Sequence, residues 1–173
     1  MASVAVLLAT KVFGHVAQRS VLLVGSGQIA ELATKQLRAA RAEPIRVTDP
    51  NPKRAQELAA QLGAEVTDFD AVHGSVASAD IVVCSTVSSN YVFTKQNLSR
   101  TLRFRRFRPL LMVDFAIPSD IAPNLSELES VFTYDVHDIQ RIVERNQVHL
   151  VNGFYQSILD CECNAPEQPV SLK

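Results

Sequence analysis

Gly25-Ser26-Gly27-Gln28-Ile29-Ala30 is the stretch whose residue types and spacing suit chemistry. It follows the apolar run Val21-Leu22-Leu23-Val24 and opens a helix-forming segment. A G-x-G-x-x-A turn between strand and helix is the fingerprint of a dinucleotide site, and the reasons are geometric. Gly25 suits the tight turn off the strand, Gly27 removes a side chain where a pyrophosphate approaches, and Ala30 keeps the helix close to the sheet. The helix N-terminus adds free N–H groups and the positive end of its dipole. The plain alternative is a strand-to-helix connection with no ligand, so the surroundings must decide.

Asp49 lies at the tip of the next strand, about twenty residues beyond the glycines, where a carboxylate can hydrogen-bond a ribose 2′-hydroxyl. Taken alone, an acidic group there repels a 2′-phosphate and argues for NAD(H) over NADP(H). Asn51 shares the same turn, and Lys53 and Arg54 follow closely enough to offset the repulsion by pairing with a phosphate. Asp49 and Pro50 equally suit simple turn initiation. Ser85 and Thr86 begin a small polar loop running to Asn90, at the carboxyl end of an apolar strand where ligands of open α/β sheets bind.

Other reactive side chains have duller readings. Cys84 sits inside an apolar strand, where a thiol is buried, protonated and unreactive. His15, His73, His137 and His149 are scattered without the spacing of a zinc site or a triad. Arg100, Arg103, Arg105, Arg106 and Arg108, interleaved with Phe104 and Phe107, suit RNA phosphates and bases. They suit better a solvated helix end, where cations complement the dipole. No catalytic group and no metal site can be assembled.

The elements that position these residues alternate. Segments at 21–24, 45–48, 65–67, 81–84, 110–114 and 131–134 read as strands, and helical patterns lie between them. Pro52 suits the first position of a helix that Gly63 stops. A weak helix is expected around residues 69–78, and Thr94 suits the cap of a helix from Lys95 to about Arg103. The result is a doubly wound, mostly parallel α/β sheet of the Rossmann type. Residues 1–18 read as a lead-in helix, 19–140 as the dinucleotide-binding domain, and 141–173 as a helical stub with a loose tail.

The chain of 173 residues is 47% hydrophobic and 20% charged, with a net charge of −1. That describes an ordinary globular domain without affinity for nucleic acid or anionic membrane. Three cysteines without framework spacing fit a reducing cytoplasm, and the apolar start lacks the basic region of an export signal.

Taken together, several stretches resemble the nucleotide-binding domain of the glutamyl-tRNA reductase family. They are Ser3-Val4-Ala5 through Gly14, Val21 to Gly27, and Arg54-Ala55-Gln56-Glu57-Leu58-Ala59. Next come Ala79-Asp80-Ile81-Val82-Val83-Cys84-Ser85-Thr86 and Asp114-Phe115-Ala116-Ile117-Pro118-Ser119-Asp120-Ile121. The last is Tyr134-Asp135-Val136-His137-Asp138-Ile139.

The resemblance implies NADPH binding and hydride delivery to a glutamyl thioester, giving glutamate-1-semialdehyde for tetrapyrrole synthesis. Gly25, Ser26, Gly27 and Gln28 would serve the pyrophosphate, with Ser85 and Thr86 near the nicotinamide. Asp114, Pro118 and Asp120 match the family's loop at the next strand end.

Four departures from the family pattern stand out. Asp49-Pro50-Asn51 replaces N-R-T, removing the arginine expected on a 2′-phosphate. Val87-Ser88 replaces Gly-Ala, and Ser119 replaces an arginine. The nucleophilic-cysteine domain that engages glutamyl-tRNA is not among the matched stretches, so the chain is expected to be incompetent alone, and a homodimer is expected only if C-terminal helices are completed. The alternatives are a non-catalytic nucleotide-sensing or partner-binding module, and the cofactor half of a shikimate-dehydrogenase-like or sirohaem-forming enzyme.

Overall fold

Every segment expected to be a strand joins one sheet in a computed structural model that describes residues 4–145. In chain order the elements are α1 (Val4–Phe13), β1 (Val21–Val24), α2 (Gln28–Ala39), β2 (Ile45–Thr48), α3 (Pro52–Leu62) and β3 (Glu65–Val66). They continue with α4 (Val72–Ser75), β4 (Ile81–Cys84), α5 (Lys95–Phe104), β5 (Leu110–Asp114), β6 (Val131–Tyr134) and α6 (Val136–Arg145). The sheet order is β3-β2-β1-β4-β5-β6, and every pairing is parallel. That is the doubly wound order with a topological switch between β1 and β4. The expectation for residues 146–173, including the dimer they would complete, lies outside the described residues.

The central strands read as unbroken apolar runs because helices cover both faces of the sheet. Successive side chains point to opposite faces, and the core divides accordingly. Val21, Leu23, Ile81, Val83, Leu111 and Val113 face α1, α2, α3 and α6, where Leu8, Leu37, Leu58 and Ile139 are buried. Leu22, Val24, Val82, Cys84, Leu110 and Met112 face the other layer, where Val72, Val76, Leu98 and Leu125 are buried. Val4, Ala5, Leu8 and Ala9 of α1 belong to the first layer.

Local chemistry sets the helix ends. Asn51 caps α3 by accepting from the Lys53 N–H at 3.1 Å, Pro52 occupies the first turn, and Gly63 ends it. Thr94 and Asn97 form a reciprocal capping box on α5, with bonds of 3.2 and 2.8 Å. The weak helix expected around 69–78 is instead three short pieces: a 3₁₀ turn at Phe69–Ala71, α4, and a 3₁₀ turn at Val76–Ser78. Gly74 and the β-branched Val72 and Val76 lower helix propensity there. Among the described residues no helix is long and apolar enough to cross a membrane.

Candidate functional site

The turn after β1 is built against the end of β4. Gly25 has φ +92°, and a Cβ there would stand 2.2 Å from the Ser85 carbonyl oxygen. Only glycine tolerates both that conformation and that approach. Its N–H donates to the Thr48 carbonyl at 2.8 Å, tying the turn to β2 as well. Gly27 differs in kind. Its φ of −68° is ordinary, but a Cβ would lie 1.9 Å from Ser85 Oγ. The missing side chain thus makes room for the Ser85 hydroxyl, a use of this glycine that spacing did not suggest. Gly27 is also the N-cap of α2 and supplies no side-chain cap. The first N–H groups of α2 are therefore left for an anion, and the helix dipole favours one there.

A cleft of about 840 Å³ opens at the carboxyl ends of the strands. Its volume lies within the usual range of small-molecule and cofactor sites. Seven of the expected residues line it: Ser26, Gly27, Asp49, Asn51, Arg54, Ser85 and Thr86. Four do not. Gly25 is buried behind the turn, and Gln28 is exposed on the first turn of α2 away from the cleft wall. Asp114 is buried beneath the β5 loop, and Pro118 is exposed beyond the rim. Sequence reasoning did not single out Phe69, Asp70, Tyr91 or Asn97, nor His73 as more than a scattered histidine, yet all five line the cleft. His73 Nε2 lies 2.9 Å from the Val92 carbonyl oxygen, and its ring meets Phe93 edge-on at 5.9 Å. The one available signal was position, since these residues follow β3 and β4 at the ligand-binding edge of the sheet.

Two buried carboxylates stitch the far rim together. Asp114 Oδ1 accepts from the Ala116 N–H at 2.9 Å. Its Oδ2 accepts from Ser119 Oγ at 2.6 Å and from the N–H groups of Asp120 and Ile121 at 2.8 and 3.0 Å. Ser119, where the family resemblance expects an arginine, is part of this internal network. Asp120 in turn accepts from the Thr86 N–H at 2.7 Å and from the Thr86 hydroxyl. Burial pushes both carboxyls above the ordinary carboxylate range, and the bonds from Ser119 and Thr86 offset part of that. Asp114 adds a further upward push on Asp120. These two groups tie the β4 and β5 loops together.

Near β2, Asp49 serves its turn: Oδ1 accepts from the Asn51 N–H at 2.7 Å. It also lines the cleft, so turn initiation and ligand contact are compatible. Burial and the nearby Asp114 and Asp120 raise the Cys84 thiol well above its ordinary value, leaving it protonated inside β4. The basic run is only partly the solvated helix end expected. Arg105 is 1% exposed and donates to the carbonyls of Val76, Ala79 and Pro109, while Arg108 donates to Ala77. Among the described residues no group of three or more His, Cys, Asp or Glu is arranged to hold a metal ion.

A family model described as shikimate / quinate 5-dehydrogenase matches residues 7–142. The chain belongs to that family. Within it, the similarity is to glutamyl-tRNA reductases. That of Myxococcus xanthus (strain DK1622) is 47% identical over 146 residues, covering 84% of this chain and 33% of its own length. The solved glutamyl-tRNA reductase from Methanopyrus kandleri aligns with a TM-score of 0.77 at 31% identity, over 82% of this chain and 36% of that one. The nucleotide-binding domain of the Thermoplasma volcanium reductase shares the fold, with a TM-score of 0.60 at 16% identity over 83% of this chain and 94% of that one. The chain is thus a Rossmann nucleotide-binding domain of the glutamyl-tRNA reductase type, and it spans about a third of the length of the curated relatives it matches.

Proposed function

We propose that this domain binds a nicotinamide dinucleotide and serves as the cofactor platform of a glutamyl-tRNA reductase-type oxidoreductase in tetrapyrrole synthesis. The observation that carries the reading is the cleft at the carboxyl edge of β1, β2 and β4, bordered by the uncapped start of α2. Ser26, Gly27 and the first N–H groups of α2 receive the pyrophosphate. Asp49, Asn51 and Arg54 surround the adenosine ribose. Ser85 and Thr86 line the nicotinamide end, with the Thr86 N–H and hydroxyl held by Asp120. When bound, the reduced cofactor supplies the hydride for reducing a glutamyl thioester to glutamate-1-semialdehyde.

The chain's own residues bind and orient; none among them attacks the substrate. The nucleophile and the contacts to glutamyl-tRNA come from a domain that these residues do not include, so this chain alone does not reduce glutamyl-tRNA. Family resemblance alone supports NADP(H) as the cofactor. Calorimetric titration with NADH and NADPH tests the reading. Binding of at least one is expected, and binding of neither at millimolar concentration overturns it.

A further inference from the structure

The tip of β2 bears on which dinucleotide fits, and it opposes the family expectation. Resting on the dinucleotide-binding reading above, we infer that this chain selects NAD(H) over NADP(H), and that Asp49 is the selecting residue. Asp49 is only 7% exposed and lines the cleft. Its Oδ1 is fixed by the Asn51 N–H at 2.7 Å, which holds the carboxylate at the strand tip. An ionised carboxylate only accepts hydrogen bonds, so it complements the two O–H donors of a ribose diol. A 2′-phosphate offers acceptors alone and a charge of about −2, so it meets Asp49 as like against like. Pro50 stands beside it with neither a cation nor an N–H to offer.

The wider charge pattern points the same way. The charged residues lining the cleft are Asp49, Asp70 and Arg54. An adjoining polar recess of about 370 Å³ is lined by Ser26, Arg54, Glu31 and Glu57 among others. Glu31 is paired to Lys35 at 2.6 Å, but Glu57 and the two aspartates have no salt bridge among the described residues. A third recess on the β3 side adds Asp68 to Asp49 and Asp70. Among the described residues Arg54 is the single arginine or lysine lining any of the three, and it is exposed, so solvent screens it. The carboxylates lining the three recesses outnumber it. A second anion placed there adds to an acidic excess, whereas an unsubstituted ribose adds no charge.

The test is calorimetric titration of the full chain with NADH and with NADPH in the same buffer. NADH is expected to bind at least about tenfold more tightly, the scale of one close like-charge contact in partly screened surroundings. Asp49→Asn keeps an acceptor for the Asn51 N–H while removing the charge, so it should narrow the ratio chiefly by improving NADPH. Asp49→Asn combined with Pro50→Arg should reverse the ratio. Wild-type protein binding NADPH as tightly as NADH overturns the inference and leaves the dinucleotide-binding reading standing. Binding of neither overturns both. A wild-type preference that Asp49→Asn leaves unchanged overturns the role given to Asp49.

Discussion

Thr86 is held by one carboxylate: its N–H donates to Asp120 Oδ2 at 2.7 Å and its hydroxyl donates to Oδ1 of the same group. The pairing joins the loop after β4 to the loop after β5, and Phe93 reinforces it. The Phe93 N–H donates to the Asp120 carbonyl at 2.9 Å, and the Ala122 N–H donates to the Phe93 carbonyl at 2.8 Å. The rim that presents Ser85 and Thr86 to the cleft is therefore set by Asp120 and Phe93, which do not line the cleft themselves.

Removing that carboxylate should loosen the rim. Asp120→Ala leaves the buried Thr86 N–H and hydroxyl without their partner, which costs about 3 kcal/mol of stability. Urea unfolding should show a lower midpoint, and nucleotide affinity should fall with it. A variant with the wild-type midpoint would remove Asp120 from this role.

The two buried carboxylates also set a pH dependence. Burial raises Asp114 and Asp120 above the ordinary carboxylate value in the folded chain. Between the unfolded and folded pKa values the native state holds protons that the unfolded chain has released, so the free energy of unfolding falls as pH rises through that window. Stability from these groups is full below the unfolded value and is lost above the folded one. Unfolding midpoints measured upward from about pH 4, near the unperturbed carboxylate value, should show this decline in wild-type protein and less of it in Asp114→Asn. Parallel pH curves for the two proteins would contradict the assignment.

The two glycines of the turn should behave differently when given a methyl group. Gly25→Ala places a Cβ 2.2 Å from backbone at a φ of +92°, a clash that no rotamer change relieves. A loss of about 3 kcal/mol and of nucleotide binding is expected. Gly27→Ala meets a side chain instead, with Ser85 Oγ at 1.9 Å and Ser85 Cβ at 2.8 Å. Combining it with Ser85→Gly should recover most of its stability, whereas the same partner change should not rescue Gly25→Ala. Equal rescue of both, read from thermal unfolding, would refute the distinction.

Sequence alone carried the architecture far because its signals are local. Strands at 21–24, 81–84 and 110–114 are dominated by apolar runs, and Thr94 and Pro52 mark helix starts through their immediate neighbours. The glycine turn was legible for the same reason. What escaped depends on distant partners. Ser85 covers Gly27 from another strand, and Asp120 answers a threonine 34 residues away. His73 and Tyr91 reach the cleft only because the chain returns there after β3 and β4. Within the basic run nothing local distinguishes Arg105 from Arg103. Only the fold brings the carbonyls of Val76 and Ala79 to one of them.

That difference can be tested inside the run itself. Arg105 stays charged at neutral pH even though burial, and the nearby Arg108, lower its pKa to about 10. Its guanidinium spans the Val76 carbonyl at 2.7 Å and the Pro109 carbonyl at 2.7 Å, locking the end of α5 to the turn before β4. Arg105→Met strands those buried carbonyls and should cost about 3 kcal/mol. Arg105→Lys should recover only part of this, because an ammonium lacks the planar fork that reaches both sides. Arg103→Ala, at an exposed position, should stay within about 0.5 kcal/mol of wild type. Chemical denaturation of the three variants decides it: similar midpoints for Arg105→Met and Arg103→Ala would return the whole run to the solvated helix end its composition suggests.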